Sequence, residues 1–180
     1  MSTPSSIAAP TTIIRAACEG DLGAIREIYN HYVFTSTCTF AETAQSDAEV
    51  RAWFAEHDAP KHPVLVAERG GQVLGWGSLS RFKSRCAYRF TVEDSVYVRH
   101  DCHRQGLGAM LLGRLVEMAR AAGHRSVLGV VAADQPASVA LHARFGFREV
   151  GRLVQVGWKF DRWIDVIYMQ RSIDERAADA

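Results

Sequence analysis

The stretch Val96-Tyr97-Val98-Arg99-His100-Asp101-Cys102-His103-Arg104-Gln105-Gly106-Leu107-Gly108-Ala109 decides how the chain is organised. Its first three residues are β-branched or aromatic and read as the end of a strand. Beyond the glycines, Leu107, Leu111, Leu115, Met118 and Ala122 fall on one helical face that stops at Gly123, where a glycine cap is expected. A strand that turns through glycines into a helix leaves free N–H groups at the positive helix end, and glycine lets a ligand come close to the backbone. The stretch therefore reads as an anion cradle. No Gly-Lys-Ser/Thr follows, so it is not a Walker loop, and it lacks the spacing of the Gly-x-Gly-x-x-Gly dinucleotide fingerprint. The competing reading is a glycine-containing turn that only lets the helix pack closely on a sheet.

Downstream, residues 126–131 (SVLGVV) form a nearly all-apolar run of strand length. Strand, glycine loop, helix and strand then resemble a βαβ crossover. A short helix over 136–145 ends at Gly146, and strands are expected over 147–156 and 163–170. Upstream, residues 12–16 (TIIRA) read as a strand, followed by a helix capped near Asp21 that carries Leu22, Ile25, Ile28, Tyr29 and Tyr32. Ser46 or Asp47 can cap a second helix with Val50, Trp53 and Phe54, ending before Pro60 and Pro63. The runs 64–68 and 73–80 flank Arg69-Gly70-Gly71-Gln72, a strong hairpin signal. A third strand is expected over 88–98. This is one mixed α/β domain over 12–172, with frayed ends at 1–11 and 173–180.

The 180 residues, 48% of them hydrophobic, suffice for one domain with its own core. Lys plus Arg number 21 against 20 for Asp plus Glu, a formal net charge of +1, which disfavours nucleic-acid binding by bulk charge. The average hides a local bias: Arg81, Lys83, Arg85 and Arg89 precede Val96-Tyr97-Val98, and Arg99 and Arg104 follow it. Such a segment suits small anions. Cys18, Cys38, Cys86 and Cys102 are too scattered for a disulfide framework, so a reducing, cytoplasmic setting is expected. The first ten residues lack the basic and apolar regions of a signal peptide, and no apolar run approaches the roughly 20 residues that span a bilayer. His100-Asp101-Cys102-His103 brings metal-ligand types together, but a second ligand pair is missing, and no metal is expected.

The run Val96-Tyr97-Val98, the basic loop, Gly106-Leu107-Gly108-Ala109, Ala137-Ser138-Val139-Ala140-Leu141-His142 and Gly146-Phe147 together resemble the GCN5-related N-acetyltransferases (GNAT). IREIYNHY at 25–32, Thr35-Ser36-Thr37, KSRCAY at 83–88 and EDSVYV at 93–98 narrow the resemblance to the phosphinothricin N-acetyltransferase branch. It covers residues 14–170. Two positions depart from the family's pattern: His103 stands where Gln or Arg usually opens the loop, and Gln135 or Asp134 where Asn is frequent.

The resemblance implies the acyl-CoA N-acyltransferase fold, a mixed and mostly antiparallel twisted sheet flanked by helices and splayed at the acetyl-CoA strand. It implies acetyl-CoA as co-substrate, with its pyrophosphate over Arg104, Gln105, Gly106, Leu107, Gly108 and Ala109. Its pantetheine arm is expected to lie along Val96, Tyr97 and Val98, with further contacts at Gln135 and Ser138. Transfer to an amine needs a neutral nucleophile, and Glu93 matches the family's proposed general base; the competing reading pairs it with Arg89 or another neighbour. His142 matches a position near the departing sulfur, where it either protonates the thiolate or relays the amine's proton, or is simply a packing histidine. Lys83, Arg85 and Tyr88 match positions lining the acceptor pocket, with Phe40 an apolar wall. Two cations and a phenol suit an amino-acid carboxylate or phosphinate.

The reaction so implied is acetylation of the α-amine of a small amino acid or analogue of the phosphinothricin, methionine sulfone or methionine sulfoximine type. The alternatives are a GNAT acting on a polyamine or a protein N-terminus, or a non-catalytic acyl-CoA sensor. A homodimer is also implied, with the aromatic stretch 158–168 near the acceptor pocket; no membrane or nucleic-acid partner is expected.

Overall fold

The computed structural model describes residues 10–173. The frayed-end expectations for 1–9 and 174–180 lie outside the described residues. In chain order the elements are β1 (Ile13–Ala16), α1 (Leu22–Thr35), α2 (Asp47–Ala55), β2 (Val64–Arg69), β3 (Gln72–Arg81), β4 (Thr91–Val98), α3 (Leu107–Ala121), β5 (Ser126–Ala132), α4 (Pro136–Arg144), β6 (Arg148–Lys159) and β7 (Arg162–Ser172). The strands form one sheet in the order β1-β2-β3-β4-β5-β7-β6. Every neighbouring pair is antiparallel except β4 and β5, which α3 joins as a parallel crossover. The mixed, mostly antiparallel sheet flanked by helices is the one expected.

Two apolar layers hold the sheet. On one face Leu107, Leu111, Leu112, Leu115 and Ala119 of α3 are buried against Leu79, Val92 and Val127, each leucine worth roughly 1.5–3 kcal/mol of burial. On the other, Leu22, Ile25 and Ile28 of α1 and Val50 of α2 cover Val64, Val66 and Trp76. Ser46 caps α2 through a reciprocal box with Glu49, Ser46 N–H donating to Glu49 Oε2 at 2.7 Å and Glu49 N–H to Ser46 Oγ at 3.3 Å.

Several boundaries differ from the sequence expectation. Asp21 precedes α1, but its side chain does not cap it. The carboxylate instead accepts from Cys18 N–H at 2.8 Å and from the Arg15 guanidinium at 2.7 and 2.8 Å, tying β1 to the turn before α1. The strand expected from residue 88 starts at Thr91, because Cys86–Tyr88 closes a 3-10 turn. β6 and β7 outrun their apolar segments, since Phe160 and Asp161, both at positive φ (+53° and +55°), join them in a two-residue turn. At the far end of β7, Ile173 is buried and its N–H donates to Arg125 O at 2.9 Å.

Candidate active site

β4 carries the site. Along its whole length it pairs with β3, from Gly75 opposite Val98 to Arg81 opposite Val92. Toward β5 it pairs only from Thr91 to Asp94. From Ser95 to Val98 that edge is open, and the sheet splays there as expected. The gap opens into a cleft of about 250 Å³, bordered on β4 by Glu93 to Tyr97, on β5 by Val130 to Ala132, and by Gln135, Ser138 and His142. Thr37, Cys38 and Phe40 close it from the segment after α1.

Val96, Tyr97, Gln135, Ser138, Glu93, His142 and Phe40 thus come together around one cleft. Val98 lies on the same open edge, but its carbonyl accepts from Tyr32 Oη. The loop at the start of α3 lies beyond that edge. Arg104 (φ +60°) and Gly106 (φ +81°) are both left-handed, and the first α-helical bond runs from Met110 N–H to Gly106 O at 3.0 Å. The amides of Leu107, Gly108 and Ala109 therefore have no acceptor within the helix. Alternating backbone hand and free amides at a helix start make a nest for an anion, and a Cβ on Gly106 would meet open space, not protein. Leu107 is buried in the core and anchors the loop, while Gln105 is held by Arg69 Nη1 at 2.8 Å. An open strand edge leading to an anion nest fits a ligand with an amide-bearing arm and a pyrophosphate.

Glu93 is half-buried, and its carboxylate makes no hydrogen bond or ion pair among the described residues. Arg89 does not reach it: that guanidinium donates to Cys86 O at 3.2 Å and lies 4.5 Å over the Phe90 ring. Burial, with the neighbouring Asp94 charge adding to it, raises the Glu93 pKa. His142 is buried. Its Nδ1 donates to Ser138 O at 2.8 Å, and its Nε2 lies 3.1 Å from Asp94 Oδ2. Burial works against its charged form, yet the hydrogen bond and charge of Asp94 and the Ser138 carbonyl outweigh it, so its pKa is raised.

Lys83, Arg85 and Tyr88 stand outside this cleft. They are exposed on the β3–β4 loop, at the end of β4 where Glu93 lies. Lys83 Nζ sits 5.0 Å over the Phe82 ring and 5.4 Å over Tyr88.

Three supports escaped the sequence reading. Asp94 binds His142 from 48 residues away. Lys159, 2% exposed, donates to Ser36 O at 2.8 Å and Thr39 O at 2.7 Å, pinning the segment that bears Cys38 and Phe40. Thr37 donates to Asp134 Oδ1 at 2.6 Å and accepts from Gln135 Nε2 at 2.8 Å, so the Gln135 amide nitrogen is spent on that segment.

Residues 25–147 match the acetyltransferase (GNAT) family model. The chain belongs to the GNAT acetyltransferases. This GNAT chain is 41% identical over 162 residues to phosphinothricin N-acetyltransferase of Alcaligenes faecalis, covering 89% of the chain and 82% of the relative. It is 39% identical over 166 residues to the L-methionine sulfoximine/L-methionine sulfone acetyltransferase of Salmonella typhimurium, covering 92% and 96%. Among solved structures, the phosphinothricin acetyltransferase of Sinorhizobium meliloti in complex with acetyl-CoA matches at a TM-score of 0.87 and 37% identity, over 90% of this GNAT chain and 88% of that one. The strand with the open edge and the glycine loop both fall inside the matched segment.

Proposed function

We propose that this acetyltransferase moves the acetyl group of acetyl-CoA directly to the α-amine of a small amino acid or analogue, of the phosphinothricin, methionine sulfone or methionine sulfoximine type. The observation that carries the reading is the half-buried Glu93 carboxylate, unpaired among the described residues, beside the open edge of β4. An α-amine is largely protonated at neutral pH, and a carboxylate with a raised pKa is suited to take its proton.

Acetyl-CoA supplies a thioester, whose carbonyl carbon the amine attacks. The amides from Arg104 to Ala109 hold its pyrophosphate, and Ser95 to Val98 offer the backbone edge for its arm. A backbone N–H on that edge can also polarise the carbonyl oxygen. As the C–N bond forms and the C–S bond breaks, the amine's proton goes to Glu93 and the electron pair to sulfur. His142 faces the sulfur side with its protons held. Lys83, Arg85 and Tyr88 draw the acceptor's carboxylate toward the end of β4 where Glu93 lies, and Phe40 forms an apolar wall. Direct transfer to an amine needs no metal.

The proposal extends to a homodimer. β6 is the edge of the sheet, and Val150, Leu153, Val154, Val156, Trp158 and Trp163 are exposed on it and on the adjacent start of β7. An apolar edge of this kind calls for a cover, and a second copy seated on it would set the interface beside the stretch 158–168, near the acceptor pocket. All four cysteines are free thiols, which suits a cytoplasmic enzyme; no helix among the described residues is long and apolar enough to cross a membrane.

Thiol release from acetyl-CoA with methionine sulfone as acceptor tests the assignment. Wild type should turn over, and Glu93→Gln should lose about 10²–10⁴-fold in kcat with the KM for acetyl-CoA within about twofold of wild type. Equal turnover by the two proteins would overturn Glu93 as the base.

A further inference from the structure

We propose that Asp94 is a positioning residue of the transfer reaction, coupling His142 on one side of the cleft to Glu93 on the other. The proposal rests on the acetyl-transfer reading above. Neighbours on a strand project to opposite faces, yet Glu93 and Asp94 both border the cleft because it passes through the gap in the sheet. The Asp94 side chain is 1% exposed, and Oδ2 faces His142 Nε2 at 3.1 Å. Oδ1 is buried and has no hydrogen-bond partner among the described residues.

The hydrogen-bond arithmetic fixes what His142 can do. The Ser138 carbonyl can only accept, so Nδ1 carries a proton. With Asp94 ionised, as this proposal requires, its oxygens also only accept, so Nε2 carries a proton as well and the ring is an imidazolium. With both nitrogens donating, the ring has no lone pair for the amine's proton. That removes the relay role and leaves Glu93 to take the proton. What His142 offers the cleft is positive charge, and the sulfur that leaves with an electron pair is the place for it.

The backbone is shaped for this contact. A Cβ on Gly129 of β5 would lie 2.6 Å from two atoms of the His142 ring and 3.3 Å from Asp94 Oδ1. Only glycine lets the imidazole lie over β5 and reach across to β4. The other titratable groups that border the cleft are Glu93 and Tyr97 on β4 and Cys38 after α1, while Asp134 before α4 and Lys159 on β6 hold the segment that closes it. Cys38 lines the cleft as a half-buried thiol with a pKa raised by desolvation. Asp134 is occupied by Thr37 and Arg162, and Lys159 by two carbonyls. The face of α3 turned to the sheet contributes leucines.

The consequence is a linked pH profile. The Asp94 charge favours the protonated form of both Glu93 and His142. In Asp94→Asn, Glu93 should ionise at lower pH and the imidazolium should lose its proton at lower pH. Both limbs of the kcat profile should therefore move to lower pH together, by about one unit or more. At pH 8 kcat should fall about tenfold or more, with the KM for acetyl-CoA within about twofold. Asp94→Glu should restore most of the wild-type profile.

The second measurement is the ¹⁵N NMR signature of His142 in the wild-type protein, which needs neither turnover nor the variant. A doubly protonated ring at pH 7.5 is expected, and a neutral ring would overturn the proposal whatever Asp94→Asn does. If Asp94→Asn folds and loses amplitude with both limbs in place, Asp94 is structural only and the proposal fails. If the wild type acetylates no α-amino acid but the ring is doubly protonated, the acetyl-transfer reading fails and the Asp94–His142 pair stands.

Discussion

At Glu93 two effects act in one direction: burial and the charge of Asp94 both favour the protonated carboxyl. At Asp21 the balance is reversed. The Arg15 guanidinium holds that carboxylate down to a pKa of about 2, against the opposing cost of its burial. A depressed carboxylate contributes stability that is complete above the unfolded pKa and is lost as pH falls. Acidification from about pH 4 toward pH 2 should therefore weaken the fold at this site. Asp21→Asn should cost about 1–2 kcal/mol at pH 7, Arg15 being a third exposed, and little at pH 2.5. Urea denaturation at the two pH values measures the difference, and an equal cost at both would contradict the pairing. The sequence told little about such residues. Asp21 read as a helix cap because capping is local, whereas its actual partner is set by how β1 meets the turn before α1. Lys159 carries no local signal, since only the closure of β6 over the segment after α1 makes two carbonyls its partners. His142 was visible as a chemical group, but its charge state depends on Asp94, far away in sequence.

Elements were easier to read than their junctions. The glycine loop and α3 were legible because strand, turn and helix periodicity are contiguous, and the family pattern lies on the same residues. The hairpin at Gly70-Gly71 and the box at Ser46 were local in the same sense. The β6–β7 turn was not, since Phe160 adopts a left-handed conformation that a bulky aromatic seldom signals. The loop at the start of α3 makes a prediction at this scale. Gly106→Val puts a β-branched residue at φ +81°, a strain of roughly 1–3 kcal/mol that the amides of the nest would move to relieve. The Kd for acetyl-CoA, measured by calorimetry, should rise about tenfold or more. An unchanged Kd would show that the nest does not hold the pyrophosphate.

For the molecule as a whole, a net charge of +1 conceals a basic segment around β4 suited to small anions and too short for a polyanion. The exposed apolar edge of β6 sets the second whole-molecule expectation, a dimer by light scattering that Trp163→Asp converts to a monomer; a monomeric wild type would contradict it. What the sequence conveyed at this scale was the fold and the reaction class, because both reside in backbone features of β4 and α3. The acceptor was carried by the resemblance, and Lys83, Arg85 and Tyr88 lie on an exposed loop outside the cleft. The direct test is therefore thiol release from acetyl-CoA across one panel of amines: phosphinothricin, methionine sulfone, methionine sulfoximine, ordinary amino acids and spermidine. The account predicts acetylation of at least one α-amino acid analogue with spermidine inactive, whereas turnover of spermidine with every α-amino acid silent would contradict it.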